Sequence, residues 1–261
     1  MHEKRQEKEK TILPIAQQKE VLRLKPGHLK LSGDGVFYTI QGEGRSMGLP
    51  ACFLRLHLCN LTCVWCDTRY TWDKTTEEFW TESQDIPTER VAHMIQSAWG
   101  CVDERIKKRL VITGGEPLLQ QKELRRVLEL LPDWIIEIET NGTIVPLPEL
   151  GEQCLFNCSP KLSNALVPEQ KRIRGHVLKI LNEKNTTFKF VVKQPSDLEE
   201  IEREFVQGFD LDPSKILVMP EGTSSSVLNG TIEGIIEIAK TKGYRILTRL
   251  HCEIWGDQRG V

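Results

Sequence analysis

Residues 51–66 read ACFLRLHLCNLTCVWC. The first half is short, apolar and rich in side chains that favour extended backbone, so 51–58 is expected to be a strand. The second half sets Cys59, Cys63 and Cys66 within one short loop, directly where that strand ends. Outward from here the pattern repeats. Runs at 109–113, 134–139, 154–158, 188–192, 215–219 and 245–251 read as further strands. Amphipathic segments lie between several of them. Leu124, Val127, Leu128 and Leu131 share one face of a helix over 120–131, and Ile232, Ile235, Ile236 and Ala239 repeat that spacing. Ser196 and Glu199 form a capping-box pattern for a helix over 197–207, and 88–99 and 169–182 read as further helices. Strands alternating with helices imply parallel pairing, because parallel neighbours need a crossover. Six or seven such units predict an α/β fold, a partial or modified (β/α) barrel with parallel strands. In such barrels the loops after the strand C-termini carry the chemistry.

The chain has 261 residues. One domain is expected over 25–261, with the polar, mixed-charge segment 1–24 as a mobile N-terminal extension. A net charge of −2 argues against a polyanion partner, so no nucleic acid is expected. No apolar run approaches the roughly 20 residues of a membrane span, so no membrane partner is expected. The opening MHEKRQEKEK has no apolar core of a secretory signal, which predicts a cytoplasmic, reducing location. There, clustered cysteines point to metal rather than disulfides. The isolated Cys52, Cys101 and Cys252 read as small core residues.

Three thiolates so close in sequence can converge on one inorganic body. A [4Fe–4S] cube has four irons, so Cys59, Cys63 and Cys66 would leave one iron open to an exogenous chelate. Two other readings compete: a zinc site that adds His57, and three buried reduced cysteines. Further motifs sit at strand ends. Thr113-Gly114-Gly115-Glu116-Pro117 offers close backbone approach and a carboxylate suited to an ammonium group. Glu139-Thr140-Asn141-Gly142 and Ser159-Pro160-Lys161 supply hydrogen-bonding groups at the next two ends. Taken singly, each is an ordinary turn.

The C-x3-C-x2-C spacing, with Trp65 before the last cysteine, resembles the signature of the radical S-adenosylmethionine superfamily. The resemblance implies a barrel of that type and a [4Fe–4S] cluster with S-adenosylmethionine as cofactors. Trp65, Cys66 and Asp67 would meet the cofactor through backbone. Gly114, Gly115 and Glu116 would bind its amino group, with Gly115, Ser159, Pro160 and Lys161 at its methionine end. Glu139, Thr140 and Asn141 match ribose and carboxylate contacts of one branch.

Four further stretches narrow the resemblance: Phe37-Tyr38-Thr39-Ile40-Gln41-Gly42-Glu43-Gly44, then Arg55, then Asp67-Thr68, and the ending Arg249-Leu250-His251 with Trp255-Gly256-Asp257-Gln258-Arg259-Gly260. Together they are similar to the 7-carboxy-7-deazaguanine synthases of the route to queuosine-type 7-deazapurines. That family contracts the ring of 6-carboxy-5,6,7,8-tetrahydropterin and releases ammonia, after a 5′-deoxyadenosyl radical takes hydrogen from C6. The resemblance implies that Ile40, Gln41, Gly42 and Thr113 touch substrate, that Arg55 holds its carboxylate, and that the Thr68 hydroxyl binds Mg2+. It also implies a homodimer and an electron donor such as flavodoxin. A different radical reaction, such as activation of a glycyl-radical enzyme, and a non-catalytic metal module are the alternatives.

Overall fold

The computed structural model describes residues 13–101 and 103–261. Among them the strands are β1 (His28–Ile40), β2 (Pro50–Leu56), β3 (Ser83–Pro87), β4 (Arg109–Gly114), β5 (Ile135–Thr140), β6 (Leu155–Cys158), β7 (Thr186–Val192), β8 (Ile216–Pro220) and β9 (Arg245–Ile246). They form one sheet in the order β3-β1-β2-β4-β5-β6-β7-β8-β9. The seven strands from β2 to β9 along that order are parallel. Its two edge strands are not paired to each other, so the architecture is a partial barrel.

Period-two alternation decides what each strand does. On one face, Cys52, Leu54, Leu56, Leu110, Ile112, Ile136, Ile138, Phe156, Phe188, Phe190, Ile216 and Val218 join the main core under the helices. The helix Gln121–Glu129 adds Leu124, Val127 and Leu128 to it. The opposite face carries Arg55, Thr113, Glu137, Glu139, Asn157 and Lys189, at alternate positions to those core residues. Burying that many polar groups is costly unless they find partners, and all but Arg55 do so.

Several expectations needed correction. All-parallel pairing fails at one edge, where β1 runs antiparallel to both β2 and β3. Strand β1 was not legible because SGDG reads as a turn. The chain stays in the sheet by slipping register between Leu31 and Val36, with Gly33 and Gly35 at φ 59° and 66°. The expected strand over 245–251 stops at Ile246, and Leu250–Trp255 is a helix. There the Leu250 N–H bonds the Gly42 carbonyl at 3.0 Å instead of continuing an edge. The helical segment over 169–182 is two helices, Glu169–Arg172 and Gly175–Asn182. Buried Arg172 ends the first by donating to the Lys161 carbonyl at 2.7 Å. The capping box belongs to Gln194 and Asp197, ahead of Pro195–Glu200, because Pro195 suits the first helical turn. Of the apolar face over 232–239, Ile235 and Ala239 are buried while Ile236 is exposed. Of the segment 1–24, residues 1–12 lie outside the described residues. The rest holds the helix Ile15–Leu22, which buries none of its side chains.

Candidate active site

The C-terminal ends of the parallel strands open into a cavity of about 550 Å³. Cys59, Cys63 and Cys66 line it from the loop after β2, and all three are free thiols. Leu61, Ala165, Val167 and Trp65 pack around them, so the surroundings are apolar. Burial pushes the Cys59 thiol up to about 12 and raises Cys63, although Lys161 works against the shift at Cys63. Buried thiolates of this kind need a cationic partner, and bound iron provides one. Among the described residues no three His, Cys, Asp or Glu side chains converge on a single ion. A cube attaches each cysteine to a different iron, and three free thiols from one loop facing one cavity fit that body. His57 does not join them. Its Nδ1 lies 3.1 Å from Ser32 Oγ, its ring packs on Phe79, and burial and Lys30 lower its pKa to about 4.

The other strand ends converge on the same space. Trp65, Asp67, Thr68, Thr113, Gly114, Gly115, Glu139, Thr140, Asn141, Ser159 and Lys161 all line the cavity. Glu116 and Pro160 do not. Glu116 is fully buried behind it and accepts from Leu118 N at 3.0 Å, Thr140 Oγ1 at 2.8 Å and Asn141 N at 2.7 Å. It therefore ties the end of β4 to the end of β5. Burial raises its pKa against those three bonds. The Lys161 ammonium donates to Ser159 Oγ at 2.8 Å and lies 5.3 Å from the Trp65 ring centroid.

Toward β1, Ile40, Gln41, Gly42 and Arg55 line the cavity. The Arg55 guanidinium lies 5.4 Å from the Phe37 ring centroid, and among the described residues no carboxylate pairs with it. Gln41 is otherwise engaged: its N–H donates to the Leu49 carbonyl, and its carbonyl accepts from Gly48. Thr68 Oγ1 lies 3.5 Å from the Gly114 carbonyl and 3.5 Å from Cys66 Sγ. Cys252, read as a core residue, is buried and also lines the cavity. Cys52 is buried on the helix side, and Cys101 is half-buried.

The polar residues that organise this wall were not picked out as sites from the sequence. Glu43 pairs with Lys189, with Arg249 at 2.9 Å and, more distantly, with His251 at 3.8 Å. Burial alone would raise the Glu43 pKa, but Lys189, Arg249 and His251 together hold it well below the usual carboxylate range. Arg249 also donates to the Gly222 carbonyl at 2.9 Å and pairs with Asp67. A lysine in the fully buried strand FKFVV was the available signal for Lys189.

A parallel partial barrel, with a cysteine triplet and four strand ends around one cavity, defines a class. The model of the radical SAM superfamily matches residues 55–194, from Arg55 in β2 to the start of the helix after β7. A 7-carboxy-7-deazaguanine synthase of Pyrobaculum aerophilum is 32% identical over 231 residues, covering 86% of this chain and 95% of that one. One from Halobacterium salinarum is 30% identical over 247 residues, covering 85% and 89%. The crystal structure of QueE from Escherichia coli shares the fold at a TM-score of 0.64, with 24% identity over 86% of this chain and 95% of that chain. The chain belongs to the 7-carboxy-7-deazaguanine synthase family of radical SAM proteins.

Proposed function

We propose that this cavity carries out the radical ring contraction of 6-carboxy-5,6,7,8-tetrahydropterin to 7-carboxy-7-deazaguanine, with loss of ammonia. Bound together, the [4Fe–4S] cluster and S-adenosylmethionine supply abstraction of a carbon-bound hydrogen atom, which no side chain here could perform. Cys59, Cys63 and Cys66 hold the cluster. Lys161 and Ser159 place positive charge and a hydroxyl where the cofactor's carboxylate would lie, and Gly114 and Gly115 let the backbone approach its amino group. Trp65, Asp67, Glu139, Thr140 and Asn141 line the same cavity and would meet the cofactor. Ile40, Gly42 and Thr113 border the pterin, and Thr68 offers a hydroxyl to Mg2+, a hard cation that shares its shell with substrate oxygen. Glu116 and Pro160 act from behind. A homodimer, a reducing cytoplasmic setting, an electron donor such as flavodoxin, and a division into an extension over 1–24 and a domain over 25–261 complete this reading.

The observation that carries it is Arg55. It is a cation on the cavity wall with no carboxylate of its own among the described residues, and its planar fork matches the two oxygens of a substrate carboxylate. Anaerobic, reduced protein is expected to turn over the pterin in a Mg2+-stimulated reaction. Thr68→Ala should retain the cluster and S-adenosylmethionine cleavage, lose product formation by roughly tenfold, and respond weakly to Mg2+. Cleavage of S-adenosylmethionine without any pterin-derived product would refute the assignment.

A further inference from the structure

A carboxylate lies beneath the cavity without lining it. Glu137, on β5, has no solvent exposure, yet its two oxygens accept from four donors. Oε1 accepts from Gln41 Nε2 at 3.3 Å and from Asn157 Nδ2. Oε2 accepts from Ser46 Oγ at 2.5 Å and from Arg109 Nη1 at 3.1 Å. Gln41 and Ser46 belong to the segment after β1, Asn157 to β6 and Arg109 to β4. Arg109 supplies the counter-charge that makes a buried carboxylate tolerable.

What Glu137 holds is the wall that faces the substrate end. The Gln41 amide donates a second hydrogen bond to Glu139 Oε1 at 3.1 Å, and its oxygen accepts from the Glu43 N–H at 3.1 Å. With carboxylates on one side and a backbone donor on the other, the amide has one satisfying orientation. Glu139, which does line the cavity, is thereby clamped between Gln41 and Thr113 Oγ1, the latter at 2.7 Å. Asn157 extends the hold by accepting from Arg45 N at 3.4 Å. Gly44 lets this happen: a Cβ there would sit 2.4 Å from Asn157 Nδ2.

We propose that Glu137 is a positioning residue for the pterin reaction. It touches no ligand, but it fixes Gln41, the adjoining Gly42 and the Glu139 carboxylate, so that the substrate wall keeps one shape before anything binds. Preorganisation of this kind lowers the cost of binding rather than adding a contact. The inference rests on reading the cavity as the site of pterin turnover.

Glu137→Gln keeps the shape but puts an NH2 among four donors and leaves Arg109 without its counter-charge. KM for the pterin is expected to rise about tenfold while kcat changes less than about threefold, the pattern of lost binding rather than lost chemistry. Cluster absorbance, and 5′-deoxyadenosine formed without pterin, should match the unsubstituted enzyme. Ser46→Ala removes one donor and leaves the Gln41 bond, so its KM should rise only about two- to threefold. An unchanged KM in folded Glu137→Gln overturns the proposal, and so does an equal loss of 5′-deoxyadenosine formation without pterin, which marks general damage. If Glu137→Gln does not fold, Ser46→Ala decides, and an unchanged KM there overturns it. Failure of the unsubstituted enzyme to turn over the pterin is a separate result, which removes the functional reading and this inference with it.

Discussion

Cys59, Cys63, Cys66 and Cys101 are chemically alike and differ in where the chain puts them. The first three line the cavity in apolar surroundings, whereas Cys101 lies outside it. On the cube model, anaerobically isolated protein should carry about four irons and four sulfides per chain. Cys59→Ala, Cys63→Ala and Cys66→Ala should each lose both the iron and S-adenosylmethionine cleavage, and Cys101→Ala neither. Iron and sulfide analysis of the four variants checks this, and zinc without sulfide in the unsubstituted protein would contradict it. His57 shows why spacing alone left the zinc alternative open. Two residues before Cys59 it could have been a ligand, but β2 ends at Leu56, and past that end the ring meets Ser32 and Phe79 instead of the cavity.

At the scale of elements, the turn that ends β4 carries the sharpest constraint. Gly115 N–H donates to the Leu56 carbonyl, and Glu116 N–H to the Leu58 carbonyl, each at 2.9 Å. This draws the end of β4 against the start of the cysteine loop, where Leu58 adopts φ 76°. A Cβ at Gly115 would lie 1.9 Å from the Leu58 carbonyl oxygen. Backbone cannot yield as a flexible side chain would. Gly115→Ala should therefore destabilise by more than about 3 kcal/mol, as strain at a special backbone position does. Urea unfolding measures the loss, and a change under about 1 kcal/mol would show that the turn can relax. The same turn aims Glu116 away from the cavity and into its three bonds with the β4 and β5 ends. The motif was legible in sequence; the direction of its carboxylate was not.

Across the whole molecule, charges pair from the floor of the sheet to the cysteine loop, buried at Glu137, Lys189 and Arg249 and exposed at Asp67. Arg109 faces Glu137, Lys189 and Arg249 face Glu43, and Arg249 reaches Asp67. The link through Arg249 fastens the C-terminal helix to the segment after β1. A Glu43 carboxyl held below its ordinary pKa stabilises the fold fully above the unfolded value, about 4.3, and that contribution fades as pH falls toward the folded one. Glu43→Gln should cost about 3–5 kcal/mol at neutral pH, because it takes the paired carboxylate from buried Lys189 and one of two carboxylates from Arg249. The gap between variant and unsubstituted protein should narrow as pH drops below about 4. Chemical denaturation of both from pH 7 to 3 follows this, and a gap that stays constant would assign the cost to packing instead.

Short-range pattern determined much of this protein by itself. The cysteine triplet and its preceding strand lie within sixteen residues, so covalent spacing alone brings the thiols to one loop. Short runs rich in apolar and β-branched residues placed six of the parallel strands, because that preference for extended backbone is local. Strand β1 escaped because its bulge is stabilised by neighbours on both sides rather than by its own composition. Tertiary structure alone decided the rest of the site. Glu43 meets Lys189 across 146 residues and Arg249 across 206, and Gln41 meets Glu137 across 96. In sequence Glu43 and Lys189 carry no sign of each other, and the motif that holds Gln41 does not show which carboxylate it meets. Only the fold, by burying each one, makes its distant partner obligatory, since a charge withdrawn from water must be compensated where it lies.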